Sequence, residues 1–70
     1  MNSRSDLLAE AKEELAIRKR AYPKWVADGR MTQAKADLKI QRMQEIVETL
    51  DMLVQLEAAS AEMIRKAESQ

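Results

Sequence analysis

The sequence predicts an all-α fold, an antiparallel helical hairpin that assembles as a coiled-coil-like oligomer. The 70 residues include one Gly and one Pro, so few positions interrupt a helix. Charged residues make up 34% of the chain and aromatic residues 3%, a composition typical of long helices with an aliphatic core. Apolar residues in the second half recur at heptad spacing. A chain of this length forms a single domain, residues 1–70.

The first helix is predicted to span about residues 5–21. Ser3 and Asp6 have the spacing of a capping box, in which each side chain binds the backbone N–H of the other residue. Pro23 has no backbone N–H and disfavours the α conformation at Tyr22. We therefore expect the helix to end or kink just before Pro23.

A bend is predicted over about 22–32, followed by a long second helix over about 33–67. Gly29 suits the left-handed conformation just after a helix, and Thr32 suits the N-cap of the next one. The second helix carries an apolar row with alternating spacings of four and three, broken only by Glu57. Its members are Ala36, Ile40, Met43, Val47, Leu50, Val54, Ala61 and Ile64.

Folding at Gly29 places the two helices antiparallel, so that Leu15 is expected near Ile46 and Leu8 near Met52. The first helix is too short to reach the last turns of the second, which would then leave apolar side chains uncovered. The sequence therefore predicts a homo-oligomer, a dimer or higher, formed through the second half of the long helix. The interface candidates are Leu50, Leu53, Val54, Leu56, Met63 and Ile64.

No catalytic, cofactor-binding or metal-binding residue is predicted. The sequence has no Cys and no His, so it cannot provide a thiol nucleophile, a Ser-His triad or the usual zinc ligands. With a single Gly, the sequence also cannot form a Gly-rich phosphate loop. No run approaches the length of a membrane span, and the first ten residues lack the apolar core of a signal peptide, so we expect a cytoplasmic protein without a membrane partner.

Positive charge is concentrated in the middle of the chain. The net charge is −2 over residues 1–17, +6 over 18–42 and −4 over 43–70. Cations interleaved with aromatic residues are typical of surfaces that bind anionic partners. The candidate partner-binding residues are Arg18, Arg20, Tyr22, Lys24, Trp25, Arg30, Lys35, Lys39 and Arg42.

Three partners fit this positive charge. Cations of the second helix could pair with Glu57, Glu62 and Glu68 of another subunit, the bend could bind an acidic surface of another protein, or it could bind nucleic acid or a nucleotide. A structural role competes with all three, because Tyr22 and Trp25 could instead cap the end of the apolar row. A purely structural coiled-coil subunit is the remaining alternative.

The segment from Ile17 to Val47 resembles small uncharacterised helical proteins of bacteriophages and prophages. These proteins share a basic run, a Tyr-Pro-x-Trp-Val element and a Gly-Arg-Met element before a helix. The matching residues are Tyr22, Pro23, Trp25, Val26, Gly29, Arg30, Met31 and Ala36. The resemblance implies a bacteriophage or prophage source and brings no known activity or mechanism. We expect a phage-type accessory protein that binds another protein, and the resemblance suggests a protein of the bacterial host as that partner.

Overall fold

The protein is a hairpin of two helices. A computed structural model describes residues 1–68, in which α1 spans Arg4–Ala27 and α2 spans Gln33–Glu68. The helices pack against each other and form a rod of about 62 × 20 × 16 Å. Residues 1–68 contain no strand. The predicted all-α hairpin is confirmed.

The start of α1 has the predicted capping box. The Asp6 backbone N–H donates to Ser3 Oγ at 3.1 Å, and the Ser3 backbone N–H donates to Asp6 Oδ2 at 3.2 Å. These bonds satisfy N–H groups that have no partner within the helix itself. The first turn is therefore closed by local sequence alone.

The predicted end of α1 before Pro23 is wrong, because α1 continues through Pro23 to Ala27. A proline within a helix leaves the carbonyl four residues earlier without its donor, here the carbonyl of Lys19. Both Lys19 and Pro23 are exposed, so water can bind that carbonyl on the outer side of the hairpin. The bend accordingly shrinks from the predicted 22–32 to residues 28–32.

The bend begins with a Schellman motif. Gly29 has a φ of 77°, as predicted for the residue that follows a helix C-cap. Its N–H donates to the carbonyl of Val26 at 3.1 Å, and the N–H of Arg30 donates to the carbonyl of Trp25 at 2.9 Å. The carbonyls of Trp25 and Val26, near the end of α1, are thus satisfied within the chain.

Thr32 caps α2 as predicted. The Lys35 N–H donates to Thr32 Oγ1 at 3.2 Å, and the Ala36 N–H donates to the Thr32 carbonyl at 3.0 Å. The helix then runs without interruption to Glu68, one residue beyond the predicted end.

The core is small and aliphatic. Its main cluster joins three residues of α1 to two of α2, and three half-buried residues pack against it. The cluster is Leu8, Ala11, Leu15, Met43 and Val47, and the half-buried residues are Ile40, Leu50 and Val54. Tyr22 and Ala36 are buried nearer the bend. The heptad row is therefore confirmed as the packed face of α2 as far as Val54.

The register is close to the predicted one, but different side chains of α2 face α1. The guanidinium of Arg4 contacts the carboxylate of Glu57, as an antiparallel hairpin folded near Gly29 requires. Ile46 and Met52, expected opposite Leu15 and Leu8, are instead exposed. Since 3.6 residues make one turn, these two positions lie on other sides of α2 than the buried row.

Candidate functional site

A shallow depression on α1, one turn before the bend, joins three of the predicted partner-binding residues. Arg20, Lys24 and Trp25 line it together with Ile17 and Ala21. Residues three and four apart on a helix lie on one side, which brings these five together. The depression therefore combines an apolar floor with two cations and an aromatic edge.

The two aromatic residues of the bend have different environments. Tyr22 is 8% exposed and belongs to the core, whereas Trp25 is 40% exposed. Their ring centroids lie 5.4 Å apart at an interplanar angle of 35°. Tyr22 thus packs against the indole, and the exposed 40% of Trp25 is open to a partner.

Arg18 holds the two helices together. Its Nε donates to Glu14 Oε1 at 3.0 Å, an i,i+4 pair on α1, and its Nη1 donates to the Lys39 carbonyl at 3.1 Å. The side chain is 25% exposed. Two of its five N–H donors are therefore bonded within this chain, and its charge is offset by Glu14.

The cations of α2 form a separate group. Lys35, Lys39 and Arg42 lie at i, i+4 and i+7 on one side of the helix, and Lys39 is half-buried while the other two are exposed. Arg30 is exposed within the bend. None of these four lines the depression on α1. The predicted cluster is thus divided between α1, the bend and α2.

We refer to seven residues together as the basic surface: Arg20, Lys24, Trp25, Arg30, Lys35, Lys39 and Arg42. The ion pairs Arg4–Glu57 and Glu14–Arg18 use none of its cations. Within residues 1–68, no carboxylate lies within ion-pair distance of these six cations. Their charge is therefore directed to solvent.

A second surface, on α2, was only partly found by sequence reasoning. Six positions with alternating spacings of three and four form what we call the apolar stripe: Ile46, Thr49, Leu53, Leu56, Ser60 and Met63. One groove along it is lined by Arg42, Glu45, Ile46, Thr49 and Leu50. A second is lined by Arg4, Leu53, Leu56, Glu57, Ser60, Ala61 and Ile64.

The predicted interface residues are divided between the core, this stripe and, for Ile64, the exposed end of the heptad row. Leu50 and Val54 pack against the hairpin core, and Leu53 is half-buried. Leu56, Met63 and Ile64 are exposed. Thr49 and Ser60 were missed because they are polar, although their spacing to Ile46, Leu53 and Leu56 is the signal that would have included them.

Two negative findings bear on the chemistry of residues 1–68. They contain no group of three acidic, His or Cys side chains that could hold a metal ion. Neither helix, within the same range, has an apolar stretch long enough to cross a bilayer.

Comparison with known proteins gives no relative for this chain: no family model, no curated protein and no solved structure matches it.

Proposed function

We propose that the protein is a non-catalytic oligomeric binding module whose basic surface contacts an acidic surface of another protein. One observation carries the proposal. Six cations on α1, the bend and α2 have no carboxylate partner among residues 1–68, and two of them, Arg20 and Lys24, line a depression together with the exposed Trp25. Tryptophan and arginine are the residues most often found at the energetic centre of protein interfaces.

The burial of Tyr22 favours a protein partner over nucleic acid. Binding of single strands relies on several aromatic side chains on which successive bases stack. With Tyr22 in the core, Trp25 is the one ring of the bend that is open to a base. Nucleic acid or a nucleotide therefore remains the second candidate, supported by charge alone.

The resemblance of the segment 17–47 to bacteriophage and prophage proteins supports an accessory role in which the partner is a host protein. A bacterial cytoplasm is the compartment that this role implies. The exposed Leu56, Met63 and Ile64 support the oligomeric part of the proposal, because contiguous apolar patches on a surface mark interaction sites.

Affinity capture from a bacterial lysate, with quantification of each captured protein, tests the proposal. The test variant is Arg20→Glu with Lys24→Glu, which reverses both charges of the depression on α1. The matched control is Lys12→Glu with Lys19→Glu, which makes the same charge change at exposed positions of the same helix away from Trp25. We expect the test variant to lose an acidic protein that the wild type and the control retain, with unchanged helicity by circular dichroism.

A purified captured protein then serves as the probe in titrations, beside a single-stranded oligonucleotide. Tight binding of the oligonucleotide that weakens steeply with salt, without binding of the protein, would establish the second candidate instead. If the wild type, the control and the test variant capture the same proteins, the basic surface has no partner and the chain is a structural subunit.

A further inference from the structure

The apolar stripe is a heptad pattern that the hairpin does not use. Along it, Ile46 is 47% exposed, Leu56 56% and Met63 71%, and the stripe follows two grooves of α2. It lies about a third of a turn away from the buried row Met43, Val47 and Val54 at 100° per residue. α1 covers the buried row and leaves five of the six stripe positions exposed, with Leu53 half-buried.

A second copy of this chain fits the stripe. We infer that two copies pair through α2 in antiparallel orientation, about a twofold axis between residues 54 and 55. Ile46 then faces Met63 of the other copy, Leu53 faces Leu56, and Thr49 faces Ser60. Every stripe position of one copy has a stripe position of the other in the same layer.

The two hydroxyl groups determine the register. In this pairing Thr49 and Ser60 share a layer, where each hydroxyl can donate to or accept from the other. A shift of one heptad in either direction would place Thr49 opposite Leu53, or Ser60 opposite Leu56. Such a shift would bury a hydroxyl against a leucine without a partner, which is unfavourable.

The charges determine the orientation. Antiparallel pairing places Lys39 and Arg42 of the two copies at opposite ends of the paired segment. It also places Arg42 beside the C-terminal end of the other α2, near Glu68, where the helix dipole favours a cation. Parallel pairing in register would instead bring Arg42 next to Arg42 and Lys39 next to Lys39, and like charges oppose association.

This inference rests on the oligomeric part of the proposed function and not on the partner of the basic surface. Cysteine cross-linking tests it directly, because the natural sequence has no Cys and every disulfide would come from the introduced residues. The variants are Thr49→Cys and Ser60→Cys, both at exposed positions, with one of them carrying a tag that changes its mass. After oxidation, we expect a disulfide-linked heterodimer in the mixture and little cross-linking of either variant alone.

A parallel pair would give the opposite result, with Thr49→Cys cross-linking to itself. That result would overturn the inferred orientation while leaving the oligomeric module intact. If sedimentation equilibrium of the unmodified chain gives a monomer mass at all concentrations, both the antiparallel pairing and the oligomeric part of the proposed function are overturned. The two failures are therefore distinguishable.

A charged side chain in the middle of the stripe gives an independent measurement. We expect Leu56→Lys to raise the dissociation constant of the dimer by roughly 100-fold, because an unpaired charge would be buried between the copies. Ala58→Lys is the matched control, two residues away and outside the stripe, and should leave the constant within about threefold. Equal effects of the two variants would overturn the inference.

Discussion

The two ends of the hairpin are built differently. At the bend end, the chain satisfies its own backbone groups through the Schellman motif at Gly29 and the cap at Thr32. At the open end, α1 stops at Arg4 beside Glu57, and residues 58–68 of α2 continue alone. The bend end is complete within one chain, and the open end exposes apolar side chains that one chain does not cover.

This difference shows that apolar spacing does not by itself determine burial. The row that is buried at Met43 and Val47 continues through Val54 to Ala61 and Ile64, where the side chains are exposed. The row is broken at Glu57 and resumes at Ala61 and Ile64, and their exposure coincides with the end of α1 near Glu57. The length of the shorter helix decides where the core ends.

The largest expected effect is the difference in the free energy of unfolding between alanine variants of two methionines of α2. Met43 is 7% exposed in the core, and Met63 is 71% exposed beyond the end of α1. We expect Met43→Ala to lower the free energy of unfolding by about 2–5 kcal/mol, because it removes buried side-chain volume. Met63→Ala should change it by about 0.5 kcal/mol or less at a concentration where the chain is monomeric. Urea unfolding followed by circular dichroism measures both.

The same pair of variants sharpens the comparison when the concentration is raised. If the open end is covered by a second copy, Met63→Ala should weaken the concentration dependence of the unfolding midpoint, while Met43→Ala lowers stability at every concentration. A similar loss for both variants under monomeric conditions would contradict the difference between the two ends.

Pro23 gives an intermediate effect at the bend end. Pro23→Ala restores a donor to the carbonyl of Lys19, and we expect the free energy of unfolding to rise by up to about 3 kcal/mol, the cost of a proline inside a helix. Lys24→Ala, in the same turn with its N–H already present, should change stability by about 0.5 kcal/mol or less. An unchanged stability for Pro23→Ala would mean that α1 ends before Pro23, as the sequence alone predicts.

The smallest effect concerns the ion pair that marks the open end. The side chains of Arg4 and Glu57 are both 51% exposed, and pairs of this kind contribute about 0–1 kcal/mol. A double-mutant cycle with Arg4→Ala and Glu57→Ala should give a coupling in that range which decreases as salt is added. If the coupling free energy is larger and does not depend on salt, the pair is less exposed to solvent than the structure of the open end indicates.

Features that depend on near neighbours in the chain could be predicted from the sequence. The capping box of Ser3, the helix stop at Gly29 and the N-cap at Thr32 each need a few adjacent residues, and each has the expected hydrogen bonds. The end of α1 could not be predicted in this way. Whether Pro23 breaks a helix depends on whether the carbonyl of Lys19 can reach water, which is decided by the face that the other helix covers.

The row of α2 that packs on α1 follows from its heptad spacing, whereas the exposure of Ile46 does not, because Ile46 is as apolar as Met43 and Val47. For the candidate site, one sequence pattern does predict which aromatic residue is buried. Leu8, Leu15 and Tyr22 are seven residues apart, a heptad spacing that places Tyr22 in the core row and Trp25 beside it. The contact of Arg18 with the Lys39 carbonyl depends on the packing of two helices and has no local signal.

The Schellman motif at the bend also affects the cost of binding there. The N–H of Arg30 and the carbonyl of Trp25 are already bonded to each other, so two residues of the basic surface lie on a backbone that is fixed before any partner arrives. A partner would not have to order a loop. The entropy lost on association would then come from the side chains, at about 0.5–1.5 kcal/mol for each one immobilised.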